Sequence, residues 1–263
     1  MKPKHIAIPI AAALCTCLCA CASADPFLTS PTVGKSDPFD YAGNMIKSEV
    51  VIDGLDDDEL WSVGKKATVS FKGCKVTVMR RPTALYFYFE VLDTTPYAYV
   101  GEGAADEVTY SDSIEIYIDS KLARSAVPQA NCYQINLGRD SRTRILSGSN
   151  GAWLAWSGMY AFETREGYDA EEDYYFMEVM IPVAQLGMGA NDDIGIAFGM
   201  VDRTVDDNKN LESYYGWYGM TYKGEFVDPQ SPAAYLVLRT SDNKILSYNE
   251  YKRSKPKAVA DRS

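Results

Sequence analysis

The chain has 263 residues, 46% of them hydrophobic and 24% charged, enough apolar material to bury a substantial core and too much to stay disordered. A net charge of −10 argues against nucleic acid as a partner, because neutralising phosphate needs a basic surface. The single histidine, His5, lies in the N-terminal run, which excludes Ser-His-Asp or Cys-His catalysis, histidine-bound zinc and histidine-bound haem from the domain that follows.

Residues 1–20 read as a secretory address. Lys2 and Lys4 precede a short apolar run over 6–18, and small residues follow. Leu18-Cys19-Ala20-Cys21 resembles the lipobox of bacterial lipoproteins, which implies cleavage before Cys21, lipidation of that cysteine and anchoring to the cell envelope or surface after export across the inner membrane. Ala22-Ser23-Ala24 offers ordinary signal peptidase a second cut, releasing a soluble protein from near Asp25. Residues 21–47, with Pro26, Pro31 and Pro38 among small polar residues, are expected to be a tether that holds the domain off the membrane.

The domain is expected over 48–240, as one unit and a monomer. Val50-Val51-Ile52 reads as a strand, Asp53-Gly54 as a turn, and Asp56 to Glu59 as an acidic helical turn ending in Trp61, a core residue. Short strands follow near 69–71 and 74–79, and a stronger one over 85–93 sets Leu85, Phe87, Phe89 and Val91 against Tyr86, Tyr88 and Glu90. The stretch 110–119 alternates strictly, with Ile114, Ile116 and Ile118 on one face and Ser113, Glu115, Tyr117 and Asp119 on the other. Antiparallel pairing with a strand over 131–137 puts Gln134 and Asn136 beside Glu115 and Tyr117 on one outward polar face, which suits a hydroxylated ligand or plain solvation. Residues 153–163 read as a strand or hairpin arm, 174–181 as a strand with Tyr175, Met177, Val179 and Ile181 inward, 182–186 as a helical turn, 194–202 as a strand with Gly195, Ala197 and Gly199 on its polar side, and 235–239 as a closing strand. Cys74 falls in an apolar phase and Cys132 in a polar one, so two free thiols are expected. Residues 241–263 read as a basic, solvated tail.

Many short strands, little helix and no internal repeat indicate an all-β fold, an antiparallel β-sandwich of jelly-roll or immunoglobulin-like type with short helical turns. Five segments in order, I-D-G-x-x-D-D-x-x-W from Ile52, L-Y-F-Y-F-E-V-x-D, D-S-I-E-I-Y-I-D, Y-F-M-E-V-M-I-P and I-G-I-A-F-G-M-V-D-R, resemble family 9 carbohydrate-binding modules across roughly residues 50–238. The resemblance implies sugar binding and structural calcium. Carried onto matching positions, it puts Glu115 and Asn136 in the site, Gln134 where the family has Arg, Gly199 where it has Gln, Tyr110 or Thr109 at one tryptophan of an aromatic clamp and Phe226 at the other. Trp217 adds a platform and Tyr117 a further hydrogen-bonding group. Sugars present apolar C–H faces rimmed by hydroxyls, which is why rings and carboxylate or amide groups are needed together.

For calcium, Asp56, Asp202 and Asp206 offer hard oxygen ligands, although acidic loops are also simply solvated and none has EF-hand spacing. Glu115 with Asp119 is the best pair for glycoside hydrolysis and a poor one, and no catalytic domain accompanies the module, so a non-catalytic surface lipoprotein that holds or senses mono- or oligosaccharide ends in polysaccharide catabolism is expected. Two alternatives stay open. One is a scaffold or interaction lipoprotein with a degenerate sugar site; the other is a haem-binding relative of the same sandwich, with iron on Met188, Met200 or Met220.

Overall fold

Period-2 patterning produces strands through most of the domain, and their apolar faces close on one another. The computed structural model describes residues 39–41, 44–46, 50–95, 108, 111–158, 161–166, 173–204 and 214–255, with backbone alone for 39–41, 44–46, 161–166, 204 and 214–215. In chain order the strands are β1 (Phe39–Tyr41), β2 (Asn44–Ile46), β3 (Ala67–Phe71), β4 (Cys74–Arg80), β5 (Ala84–Leu92), β6 (Ser113–Asp119), β7 (Cys132–Gly138), β8 (Thr143–Ser149), β9 (Ala152–Ala155), β10 (Ala161–Glu166), β11 (Tyr174–Pro182), β12 (Ile194–Thr204), β13 (Tyr214–Gly219), β14 (Thr221–Tyr222), β15 (Glu225–Phe226), β16 (Leu236–Arg239) and β17 (Lys244–Leu246). Two short helices, α1 (Glu59–Val63) and α2 (Tyr248–Ser254), and 3-10 turns at Val183–Leu186 and Pro232–Ala234 complete the described elements.

Two antiparallel sheets carry the fold. The smaller has the order β10-β11-β5-β4-β3; the larger runs β17-β16-β12-β6-β7-β8-β9, with β13 also paired to β12. This is the expected sandwich. Val76, Val78, Phe87, Phe89, Met177 and Val179 from the smaller sheet meet Ile114, Ile116, Ile135, Ile196 and Phe198 from the larger in one core. Phe198 takes Phe87 and Phe89 edge-on, with centroids 6.0 and 5.9 Å away. Each such buried side chain stabilises the fold by about 1.5–3 kcal/mol. Met188, Met200 and Met220 are packed in this core as well. Cys74 and Cys132 are free and buried, as their opposite phases require.

The smaller sheet is buried on its outer face too. Tyr86 and Tyr88, opposite in phase to Phe87 and Phe89, pack with Val50, Ile52, Trp61, Met79 and Met180 in a second core. At its centre the fully buried Glu178 accepts from Trp61 Nε1 at 2.8 Å, from Asp53 N at 2.9 Å and from Gly54 N at 3.2 Å. Gly54 adopts φ +83°, a left-handed conformation that costs glycine little. The I-D-G opening and the Y-F-M-E-V segment, more than a hundred residues apart, are therefore two halves of one latch. Burial pushes the Glu178 carboxyl up to about 8, against the three donated hydrogen bonds that favour its charged form.

Three expectations are corrected. Residues 50–52 form no strand; the segment is irregular, and Val51 N is taken by Asp58 Oδ2 at 2.8 Å. The stretch 153–163 is not one hairpin arm, because β9 ends the larger sheet and β10 edges the smaller, so the chain changes layers between them. The folded part does not stop at 240. β17 pairs with β16, and α2 is started by a capping box in which Ser247 and Glu250 exchange side-chain to backbone bonds. Tyr251, buried on α2, ties it back by donating to Asp193 Oδ2 at 2.8 Å.

Candidate functional site

The outer face of the larger sheet carries a transverse row of residues fixed by register. Gly219 on β13 pairs with Gly199 on β12, Gly199 with Glu115 on β6, Glu115 with Asn136 on β7, and Asn136 with Arg144 on β8. Beside it runs a second row, Ala197, Tyr117, Gln134 and Leu146. Strand alternation places both rows on the side away from the sandwich core.

Glu115 organises these rows. Its Oε2 accepts from Tyr117 Oη at 2.8 Å and from Trp217 Nε1 at 2.7 Å, and its Oε1 accepts from Asn136 Nδ2 at 2.7 Å. The absence of side chains at Gly199 and Gly219 makes the Trp217 contact feasible. A Cβ at Gly199 would lie 2.6 Å from Glu115 Oε2 and 3.3 Å from Trp217 Nε1; one at Gly219 would collide with the rings of Phe226 and Trp217. Where the resemblance implies a Gln, this chain thus leaves room for an indole beside Glu115. Phe226, exposed on the β14-β15 hairpin, meets Trp217 edge-on with centroids 6.1 Å apart. Asn136 Oδ1 is buried and has no hydrogen-bond partner among the described residues.

The polar face is not outward in the sense expected. Glu115 is 4% exposed, Gln134 6%, Tyr117 1% and Asn136 0%. Aromatic residues roof it: Trp217 from β13, and Trp153 and Tyr235, whose ring centroids lie 6.3 and 6.4 Å from that of Tyr117. Alternation identifies the residues sharing a face, while residues distant in sequence decide what covers it.

The remaining candidates are scattered. Tyr110, like Thr109, lies outside the described residues, as do Cys21 and Asp206. Asp56 is exposed on the loop before α1, and Asp202 is half-buried on β12, where burial and Asp93 raise its pKa and Lys72 opposes them. Among the described residues no group of three or more acids, thiols or imidazoles is placed to hold a metal ion. Asp119, the suggested partner of Glu115 in hydrolysis, instead accepts from Lys121 N, Arg124 N and Asn131 Nδ2 and so shapes the β6-β7 connection.

Two members of the neighbourhood escape sequence reasoning. Arg144 joins the row through β8, whose mixture of Ser and Gly with Ile and Leu hides its alternation. Trp153 pairs with Gly148 across β8 and β9, which puts it on the Glu115 side, and its Nε1 donates to Gln230 Oε1 at 3.0 Å. The usable signal was the period-2 phase of residues 143–149, with Thr143, Ile145 and Ser147 opposite Arg144, Leu146 and Gly148.

Comparison with known proteins follows the same outline. The sequence profile of the family described as carbohydrate family 9 binding domain-like matches residues 52–231. Two solved structures of a family 9 carbohydrate-binding module from Caldicellulosiruptor kristjanssonii share the fold. One, in complex with cellotriose, is 17% identical over 72% of this chain and 87% of that chain, with a TM-score of 0.51. The other, in complex with glucose, is 16% identical over 73% of this chain and 91% of that chain, also with a TM-score of 0.51. No curated protein sequence matches. The profile spans more than half of the chain, from the latch at Ile52 to the turn before β16, and the chain therefore belongs to the carbohydrate family 9 binding domain-like family.

Proposed function

We propose that this chain is a non-catalytic carbohydrate-binding protein that takes mono- or oligosaccharide ends at the roofed face of its larger sheet. The observation that carries the reading is the Trp217 indole, half-buried, fixed by its 2.7 Å bond to Glu115 and flanked by exposed Phe226. A ring so held offers a platform to the C–H face of a sugar, and Asn136 Oδ1, a buried acceptor without a partner among the described residues, would accept from a sugar hydroxyl once the roof over it opens. Glu115 acts on the ligand chiefly through Trp217 and Asn136, since its oxygens already serve three donors. The solved relatives hold glucose and cellotriose, so these are the first ligands to try.

Isothermal titration of the folded protein with glucose and cellotriose is expected to give affinities in roughly the micromolar to millimolar range. Trp217→Ala is expected to weaken them by about tenfold or more, and exposed Phe226→Ala by a few-fold at most. A folded wild type that binds no glycan at millimolar concentration overturns the reading. We also place the protein at the cell envelope through lipid on Cys21, on the strength of the basic start, the apolar run and the Leu18-Cys19-Ala20-Cys21 sequence. Cys21→Ser is expected to move it from the detergent-extracted membrane fraction to the soluble one or leave it unprocessed; a wild type soluble without detergent refutes the anchor.

A further inference from the structure

We propose that a second site exists, an oxyanion-binding cleft at the start of β12, with Arg80 as its buried anchor and phosphate, sulfate or the carboxylate of an acidic sugar as its ligand. It lies five residues back along β12 from Gly199 and does not depend on the sugar reading. The cleft has a volume of about 910 Å³ and is walled by the residues after α1, the end of β4 and the turn after β16, with Lys65, Arg80, Arg81, Asp193, Arg239 and Asn243 among its lining. In a chain of net charge −10, this concentration of cations is a local inversion.

The cations in the wall are not equally occupied. Arg239 is matched by Asp242, which accepts from its Nε at 2.8 Å and its Nη2 at 2.6 Å. Asp193 is engaged at both oxygens, by Thr240 N and Tyr251 Oη, each at 2.8 Å. Arg80 differs from both. It is 3% exposed, its Nη2 donates to Gly189 O at 2.9 Å, and its buried Nε and Nη1 have no hydrogen-bond partner among the described residues. Its main chain is pinned, because Asn243 Oδ1 accepts from Arg80 N at 2.6 Å and Asn243 Nδ2 donates to Arg80 O at 3.2 Å. Burial lowers its guanidinium to about 10 despite the attraction of Asp192, whose Oδ2 already accepts from Gly189 N. A buried guanidinium with idle donors, rigidly placed in a cleft that Lys65 and Arg81 also line, is an arrangement that an oxyanion completes by accepting from those donors.

The test is titration calorimetry on the full chain with sodium phosphate, sodium sulfate and sodium glucuronate at constant ionic strength, with glucose as the neutral control. One saturable site for at least one anion is expected, unaffected by saturating cellotriose. The order of the three affinities separates a phosphate or sulfate site from a carboxylate site. Arg80→Met, which keeps the length and removes the charge, is expected to weaken binding by about tenfold or more, and the rim variants Lys65→Ala and Arg81→Ala by several-fold each. If Arg80→Met fails to fold, the rim variants decide. No saturable anion binding, or binding indifferent to both rim variants, overturns the proposal.

Discussion

Glu178 and Glu115 are both buried carboxylates, each accepts three hydrogen bonds, and each takes one from a tryptophan Nε1. Their other donors differ in kind. Glu178 takes two backbone N–H groups of the opening turn, so it fastens the chain's entry to the outer side of the smaller sheet. Glu115 takes only side chains, one of them on a partly exposed ring. A carboxylate wired to backbone can release its partners only if the turn unfolds, whereas one wired to side chains can exchange a partner by a rotamer change. The first arrangement serves stability and the second suits recognition, although in a strand alternation the two glutamates look alike.

The most severe test of that contrast removes each carboxylate. Glu178→Ala leaves an indole N–H, the buried Gly54 amide and the half-buried Asp53 amide without their acceptor and is expected to destabilise the fold by about 3 kcal/mol or more, read from urea unfolding. Glu115→Ala is expected to lose about 1–2 kcal/mol, because Trp217 can turn to solvent. Equal losses would break the distinction.

A pH series isolates Glu178 next. Its folded pKa is raised from 4.5 to about 8, so between those values the native state binds more protons than the unfolded one. Its contribution is full below about 4.5, falls as pH rises through the window and is flat above about 8, a change of order a few kcal/mol. Glu178→Gln should abolish that slope, so the difference between the wild-type and variant stability curves should carry it across this window; parallel curves would show that burial does not raise this carboxyl.

The smallest expected effect on folding sharpens the recognition side. Gly199→Ala places a methyl 2.6 Å from Glu115 Oε2, which must shift the carboxylate or the indole above it. Sugar affinity is expected to fall about tenfold while stability changes by about 1 kcal/mol or less. Unchanged affinity with cellotriose would mean that Trp217 need not lie against Glu115 to bind.

Local alternation is enough to define the strands whose two faces differ in chemistry. The alternations of β5, β6, β7, β11 and β12 are all found where the pattern puts them, and the antiparallel pairing of β6 with β7 brings Glu115 beside Asn136 and Tyr117 beside Gln134 as expected. These follow from a local rule, that successive side chains point to opposite sides. Tertiary structure alone decided what lies over each face. Trp217 and Trp153 roof Glu115 and Tyr117 because β13 and β9 arrive there by pairing with β12 and β8, and Tyr86 and Tyr88 are buried because the opening segment folds back under Glu178. Arg80, adjacent to Arg81 in an unremarkable R-R-P turn, becomes a buried cation at a cleft only once residues 189–193 and 239–243 meet it. Burial is a sum over neighbours far apart in the chain, and period-2 patterning carries no term for them.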